Sequence, residues 1–330
     1  MLQDPAPTAS TAPELVEERL AAVEAMFREN LASPTSIVRE IGSFVAEGEG
    51  KRVRPTLHLL CARLCGYEGP HDVLIATVME FIHSATLIHD DIIDEATTRR
   101  GRPSVNYRWG NNITVLFGDY MFAKAMEMAL RAESLAIMDR LADVTLRMTE
   151  GEMLQTRYVG RIDLSVDEYL GLVERKTAAL FACSCETAGL LAGLDEDGCA
   201  ALAAYGLDLG FAFQIVDDIL DFTADSETLG KPTASDLREG KVTLPLIDLL
   251  TGGSERARSL ARTIMDAGRP DSPEIAELTD LLRSSGALDR ARLRARGYAE
   301  RAAEGLNRFA AGPARTALQG LPGLLLRRER

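Results

Sequence analysis

The stretch that decides the fold runs from Glu80 to Pro103, EFIHSATLIHDDIIDEATTRRGRP. An apolar segment leads into three aspartates, Asp90, Asp91 and Asp94, and two arginines follow, Arg99 and Arg100. At helical pitch Asp90 and Asp94 share a face, while Asp91 sits about 100° round from Asp90. Three carboxylates beside a buried stripe resist joint ionisation unless a cation bridges them. Mg²⁺ suits the position, because it is usually held by one or two carboxylates together with substrate phosphates. Read alone, DDIID fits an exposed acidic helix end equally well, so the decision lies elsewhere in the chain.

The surrounding helix is expected from about Asp72 to Glu95. It contains Glu80-x-x-His83, which raises a rival reading as a di-iron carboxylate bundle; that fold needs a second Glu-x-x-His on another helix. The other match is Glu68-Gly69-Pro70-His71, where Gly-Pro rules out helical presentation. On the N-terminal side, EGEGKRVRP places Lys51, Arg52 and Arg54 beside Gly48 and Gly50, with Pro55 in the first turn of the next helix. Such a basic cluster at a helix start fits a diphosphate, and it fits a solvated basic loop as well.

The same spacing returns far downstream. In GFAFQIVDDILDF an apolar helix carrying Gln214 ends in Asp217, Asp218 and Asp221. Lys231 and Lys241 follow within a polar, Gly/Pro-punctuated segment long enough to act as a lid. Two copies at helix ends, each followed by bases, are hard to attribute to chance. Between the copies, Ser165-x-x-Glu168 reads as a capping box opening one long helix through Lys176 and Thr177 to about Gly193.

Composition bounds the rest. The 330 residues are 46% hydrophobic and 26% charged, as in a soluble globular protein. A net charge of −13 argues against a general nucleic-acid binder. Five cysteines without metal-ligand spacing read as buried free thiols in a reducing cytoplasm. No signal-peptide pattern and no uninterrupted apolar run of membrane-spanning length stands out, so neither secretion nor stable membrane insertion is expected. Residues 1–13 read as a disordered tail, and 14–330 as one domain of helices with strands absent or minor. Only five of 37 basic residues are lysine: Lys51, Lys124, Lys176, Lys231 and Lys241. Lysines that persist among arginines are candidates for tasks that need a compact ammonium.

The paired aspartate motifs and these bases ask for a polyanion, most simply a diphosphate. The apolar helices below the motifs suit a hydrocarbon, and there is no Walker glycine loop for nucleotide chemistry. Together with GKRVRP, HSATLIHDDIIDEATTRRGRP, ERKTAALF, FQIVDDILDF and GKPTASDLREGKVTLP, they make residues 50 to 245 resemble the trans-isoprenyl diphosphate synthases of the polyprenyl synthetase family. The resemblance implies an all-α bundle around a deep cavity, usually a homodimer. It implies about three Mg²⁺ per substrate-loaded site, held by Asp90, Asp91, Asp94, Asp217, Asp218 and Asp221. Arg99, Lys176, Gln214, Lys231 and Lys241 would surround the allylic diphosphate. Lys51, Arg54, His83 and Arg100 would bind isopentenyl diphosphate. Lys176 and Thr177 would lie beside the developing cation, and Lys124 has no family role.

Within the family, short-product enzymes tend to place an aromatic four or five residues before the first motif. Here Ala85 and Thr86 are small, with Ile82 one turn deeper, which implies a product of about thirty to fifty carbons. A geranylgeranyl or farnesyl synthase stopped by another residue, such as Phe81, is the alternative. A terpene cyclase would carry a different second motif, and a non-catalytic subunit would carry eroded ones.

Overall fold

The computed structural model describes residues 14–48, 50–99, 101–223, 234–267 and 273–327. The N-terminal tail, Arg100, Lys231 and most of the expected lid segment lie outside these described residues. The fold is all-α: the only strands among the described residues are Thr98–Arg99 (β1) and Arg102–Pro103 (β2), paired antiparallel. The chain divides into two compact units. The first comprises Met1–Thr145, Leu180–Gly206 and Gly305–Leu321; the second comprises Leu146–Ala179, Leu207–Glu304 and Pro322–Arg330.

The first unit is built on the helix that carries the first aspartate motif. Its helices run Glu17–Leu31 (α1), Ser36–Ala46 (α2), Val53–Leu64 (α3), His71–Ile93 (α4), Val105–Trp109 (α5) and Asn111–Ala129 (α6). Every α4 residue from Asp72 to Ile82 is buried. A helix apolar around its whole circumference needs neighbours on all sides, and α4 packs against α1, α3 and α6. Asp72 answers the helix dipole in the first turn and accepts Arg19 Nε at 3.0 Å. Only Gly110 separates α5 from α6, which close up on either side of it.

In the second unit the capping box is present: Ser165 and Glu168 satisfy each other's backbone amides at the start of Val166–Val173 (α8). The helix that follows is not uniform. Residues Glu174–Ala178 form a π-helical turn before Ala179–Leu191 (α9) begins. The second motif ends Glu196–Thr223 (α10). Val173, Ile215, Ile219, Leu244 and Leu278 belong to one apolar core that joins α8 and the C-terminal half of α10 to the C-terminal helices. Two helices, His71–Ile93 and Glu196–Thr223, are long and apolar enough to cross a membrane. Their most apolar windows are 72% and 56% buried within the protein, as core helices would be.

One core residue ties stability to pH. His58 of α3 is fully buried, with Nδ1 2.9 Å from the Ser184 carbonyl and Nε2 without a hydrogen-bond partner. Burial lowers its pKa from 6.5 to about 4. The unfolded chain therefore binds a proton that the folded chain refuses, and stability is lost as pH falls from 6.5 toward 4. Denaturant titrations of wild type and His58→Gln between pH 7 and 4.5 should show their stability difference shifting by on the order of 3 kcal/mol against wild type. A difference independent of pH would contradict the assignment.

Candidate active site

In the first unit, the C-terminal end of α4 divides its three carboxylates between two environments. Asp90 and Asp94 are half-buried, whereas Asp91 is buried. Asp91 Oδ1 accepts Arg99 Nε at 2.7 Å. Its backbone oxygen accepts Ala96 N at 2.9 Å and Asn106 Nδ2 at 3.0 Å. Burial pushes the Asp91 carboxyl up, Arg99 pulls it back, and Asp90 and Asp94 add to the rise. A carboxylate in that setting anchors the β1–β2 hairpin, and the hairpin carries Arg99. The chain turns into it through Glu95, which adopts a left-handed conformation at φ 50°.

The glycine-flanked bases separate by role. Arg52 adopts φ 45° just before α3 and turns its guanidinium inward over the Phe27 ring. There it is ion-paired to Glu24 of α1 and Glu80 of α4. The arginine read as one of three loop bases is thus committed to two carboxylates, and Glu80, the rival metal ligand, is one of them. Lys51 is exposed, and Arg54 lies over Phe181 at 4.7 Å. A cavity of about 590 Å³ is lined by Gly48, Arg52, His83, Asp91 and Arg99, with Phe44 and Leu87 on its apolar side. Ile82 and Ala85 are fully buried on α4, and Thr86 is half-buried. Phe81 packs against Phe27, ring centroids 4.7 Å apart, and so faces α1.

The second unit brings together the other half of the expected residues. The π-helical turn holds Lys176 and Thr177, and such turns recur at functional sites because they re-aim side chains. Lys176 Nζ reaches Glu152 at 2.8 Å and Gln155 at 3.0 Å. Thr177 Oγ1 donates to Gln214 Oε1 at 2.8 Å, and Gln214 Nε2 donates to Asp218 Oδ1 at 2.9 Å. The Tyr169 hydroxyl donates to Asp218 Oδ2 at 2.5 Å. Asp221 accepts the Ser235 hydroxyl at 2.7 Å and the Asp236 amide at 3.2 Å. Asp218 and Asp221 are buried, while Asp217 is half-buried.

Burial and then Asp236 push the Asp218 carboxyl well up, and the Tyr169 and Gln214 hydrogen bonds oppose them. These side chains, with Lys241 and Thr243, line a cavity of about 170 Å³. The Thr243 hydroxyl is buried and without a hydrogen-bond partner.

The six aspartates therefore differ in a way that their spacing does not announce. Asp91, Asp218 and Asp221 already hold protein donors, although the sequence reading gave all six to metal. Asp90, Asp94 and Asp217 keep partial access to solvent. No group of three or more His, Cys, Asp or Glu side chains converges as a metal cage among the described residues. Mg²⁺ does not require one, since one or two carboxylates plus substrate oxygens complete its shell. Asp90 and Asp94, one turn apart at a helix end, fit that donor set.

Sequence reasoning missed Tyr169, Asp236 and Thr243. Tyr169 lies two helical turns before Lys176, a spacing that places both on one face. Its partner Asp218 is 49 residues away, and nothing in the sequence connects the two.

Residues 35–282 match the polyprenyl synthetase family model. The chain is 36% identical over 317 residues to octaprenyl diphosphate synthase of Escherichia coli K12, covering 96% of this chain and 98% of that protein. It is 34% identical over 322 residues to a short chain isoprenyl diphosphate synthase of Methanothermobacter thermautotrophicus, covering 96% of each. The crystal structure of polyprenyl synthase from Caulobacter crescentus CB15, complexed with calcium and isoprenyl diphosphate, superposes with a TM-score of 0.93 at 34% identity. That superposition covers 99% of this chain and 100% of the other.

Two glycines test how tightly the π-helical turn is held. A Cβ on Gly151 would lie 2.9 Å from the Lys176 backbone nitrogen and 3.1 Å from Arg175 Cβ, so Gly151→Ala must push the turn away. A Cβ on Gly171 would meet only the mobile end of Arg175 at 3.5 Å. Thermal unfolding should show Gly151→Ala destabilised by about 1–3 kcal/mol. Gly171→Ala, inside α8, should be neutral or gain up to about 1 kcal/mol. Equal tolerance at both positions would mean that α7 (Leu135–Tyr158) does not clamp Lys176.

Proposed function

The chain belongs to the polyprenyl synthetase family and is a prenyltransferase, and from that premise we propose how its residues divide the reaction. Isopentenyl diphosphate is joined head-to-tail to an allylic diphosphate, and the step is repeated to a medium- or long-chain all-trans product. The observation that carries the reading is the pair Asp90 and Asp94, half-buried one turn apart where an apolar, buried helix ends.

Mg²⁺, about three ions in the loaded site, supplies the Lewis-acid charge that makes an allylic diphosphate leave. Asp90, Asp94 and Asp217 are assigned as its ligands. Asp91, Asp218 and Asp221 are assigned to hold Arg99, the Tyr169–Gln214 pair and the Ser235–Asp236 turn. Arg99, Lys176, Lys231 and Lys241 bind the allylic diphosphate oxygens, with Gln214 behind them. Fixed positive charge of this kind stabilises the leaving group as its negative charge develops. Lys51, Arg54, His83 and Arg100 take the isopentenyl diphosphate.

As the allylic C–O bond breaks, the Thr177 oxygen stabilises the delocalised cation. The isopentenyl double bond then attacks it. Loss of a proton to the departed diphosphate restores a double bond and leaves a chain five carbons longer.

Relatives of similar identity include octaprenyl and short-chain synthases, so product length must be read from the residues. Phe81, the alternative stop, is engaged with Phe27. Ala85 and Ile82 leave no bulky aromatic on α4 near the motif, and Thr86 spends its hydroxyl on the His83 carbonyl at 2.7 Å. A product of about thirty to fifty carbons follows. The two units are read as parts of one catalytic domain, because the family match runs through both. We further assign a homodimer and a cytoplasmic location. Exposed Val115, Leu116, Leu130 and Leu135 supply apolar surface for a second copy.

Incubating the purified chain alone with labelled isopentenyl diphosphate, an allylic primer and Mg²⁺ should yield a labelled polyprenyl diphosphate, resolved by chromatography. No product would exclude a self-sufficient synthase. Asp90→Ala should cost at least about 10³-fold in turnover with the melting temperature retained. Ala85→Phe should shorten the product by one or more five-carbon units; an unchanged product ladder would remove this position from length control.

A further inference from the structure

Resting on that reading, we propose that Tyr169 is a positioning residue that fixes the direction of the Thr177 hydroxyl through Asp218 and Gln214. The argument is one of hydrogen-bond polarity. Both Asp218 oxygens accept hydrogen bonds here. Tyr169 supplies one at 2.5 Å and the Gln214 amide nitrogen supplies the other at 2.9 Å. With its nitrogen committed, Gln214 must present its carbonyl oxygen to Thr177. That oxygen can only accept, so Thr177 must donate, and it does so at 2.8 Å.

The hydroxyl hydrogen is thereby turned toward Gln214. The oxygen lone pairs are left for the cavity that Thr177 lines with Lys176 and Lys241. A cation forming there meets the negative end of the dipole.

Without the tyrosine hydroxyl, Asp218 Oδ2 is left buried and without its strong donor. The cheapest repair is for the carboxyl to turn, which frees the Gln214 amide to flip, and a flipped amide reverses the Thr177 hydroxyl. Tyr169 touches no substrate in this account and acts only through Thr177.

The test is a double-mutant cycle with Tyr169→Phe and Thr177→Val, read by steady-state kinetics with both diphosphates. Tyr169→Phe should lower kcat about tenfold and leave both KM values within about twofold. In the Thr177→Val background the same change should alter kcat by less than about twofold, because the group it orients is gone. Calorimetric binding of an unreactive allylic thiolodiphosphate with Mg²⁺ should be unchanged in Tyr169→Phe. Placing 3-fluorotyrosine at position 169, which keeps the hydroxyl, should retain wild-type kcat.

Additive losses in the cycle, weakened thiolodiphosphate binding, or a 3-fluorotyrosine protein as slow as the phenylalanine variant would each overturn the relay while wild-type turnover stands. A wild-type chain without turnover would overturn the prenyltransfer reading itself, and the relay with it.

Discussion

A carboxylate taken out of water must find donors, and the middle aspartate of each motif obeys that constraint. Asp91 is buried at the end of α4 and is matched by Arg99. Asp218 is buried on α10 and is matched by Tyr169 and Gln214. In both motifs the acidic residue that looks most redundant is the one that builds its surroundings. Removing one partner of a buried, bonded charge strands the other, which costs far more than losing an exposed pair. The hairpin that carries Arg99 and the polar network beneath Thr177 both depend on this pairing.

The same logic explains the basic loop before α3. Arg52 sits between Lys51 and Arg54 in sequence, yet its guanidinium is held inward by Glu24 and Glu80. Two ion pairs and the Phe27 ring outweigh the backbone strain at φ 45°. The loop is thereby tied to α1 and α4 through a residue committed to two carboxylates. In the second unit, the close approach of Gly151 to Lys176 holds the π-helical turn from the other side.

Local signals made much of the fold legible. Helix α4 and the capping box at Ser165 follow from apolar periodicity, end residues and turn chemistry, which act over a few positions. The π-helical turn at Glu174–Ala178 was not legible, because its sequence is compatible with a continuous α-helix. The aspartate motifs were legible as chemistry but not as a division of labour. The donors that hold Asp91 and Asp218 arrive by tertiary packing. Ser235 lies 14 residues from Asp221, and Glu80 lies 28 from Arg52. Lys124, set aside on sequence grounds, pairs with Glu127 one turn along α6 at 2.8 Å.

The account stands or falls on that division of the six carboxylates. Its most direct test is a crystal structure with Mn²⁺ and an unreactive allylic thiolodiphosphate, in which anomalous scattering locates each ion. The account predicts Asp90, Asp94 and Asp217 in the coordination shells, with Asp218 still bonded to Tyr169 and Gln214, and Asp91 still on Arg99. Asp218 or Asp91 found coordinating an ion, with those donors released, would contradict it.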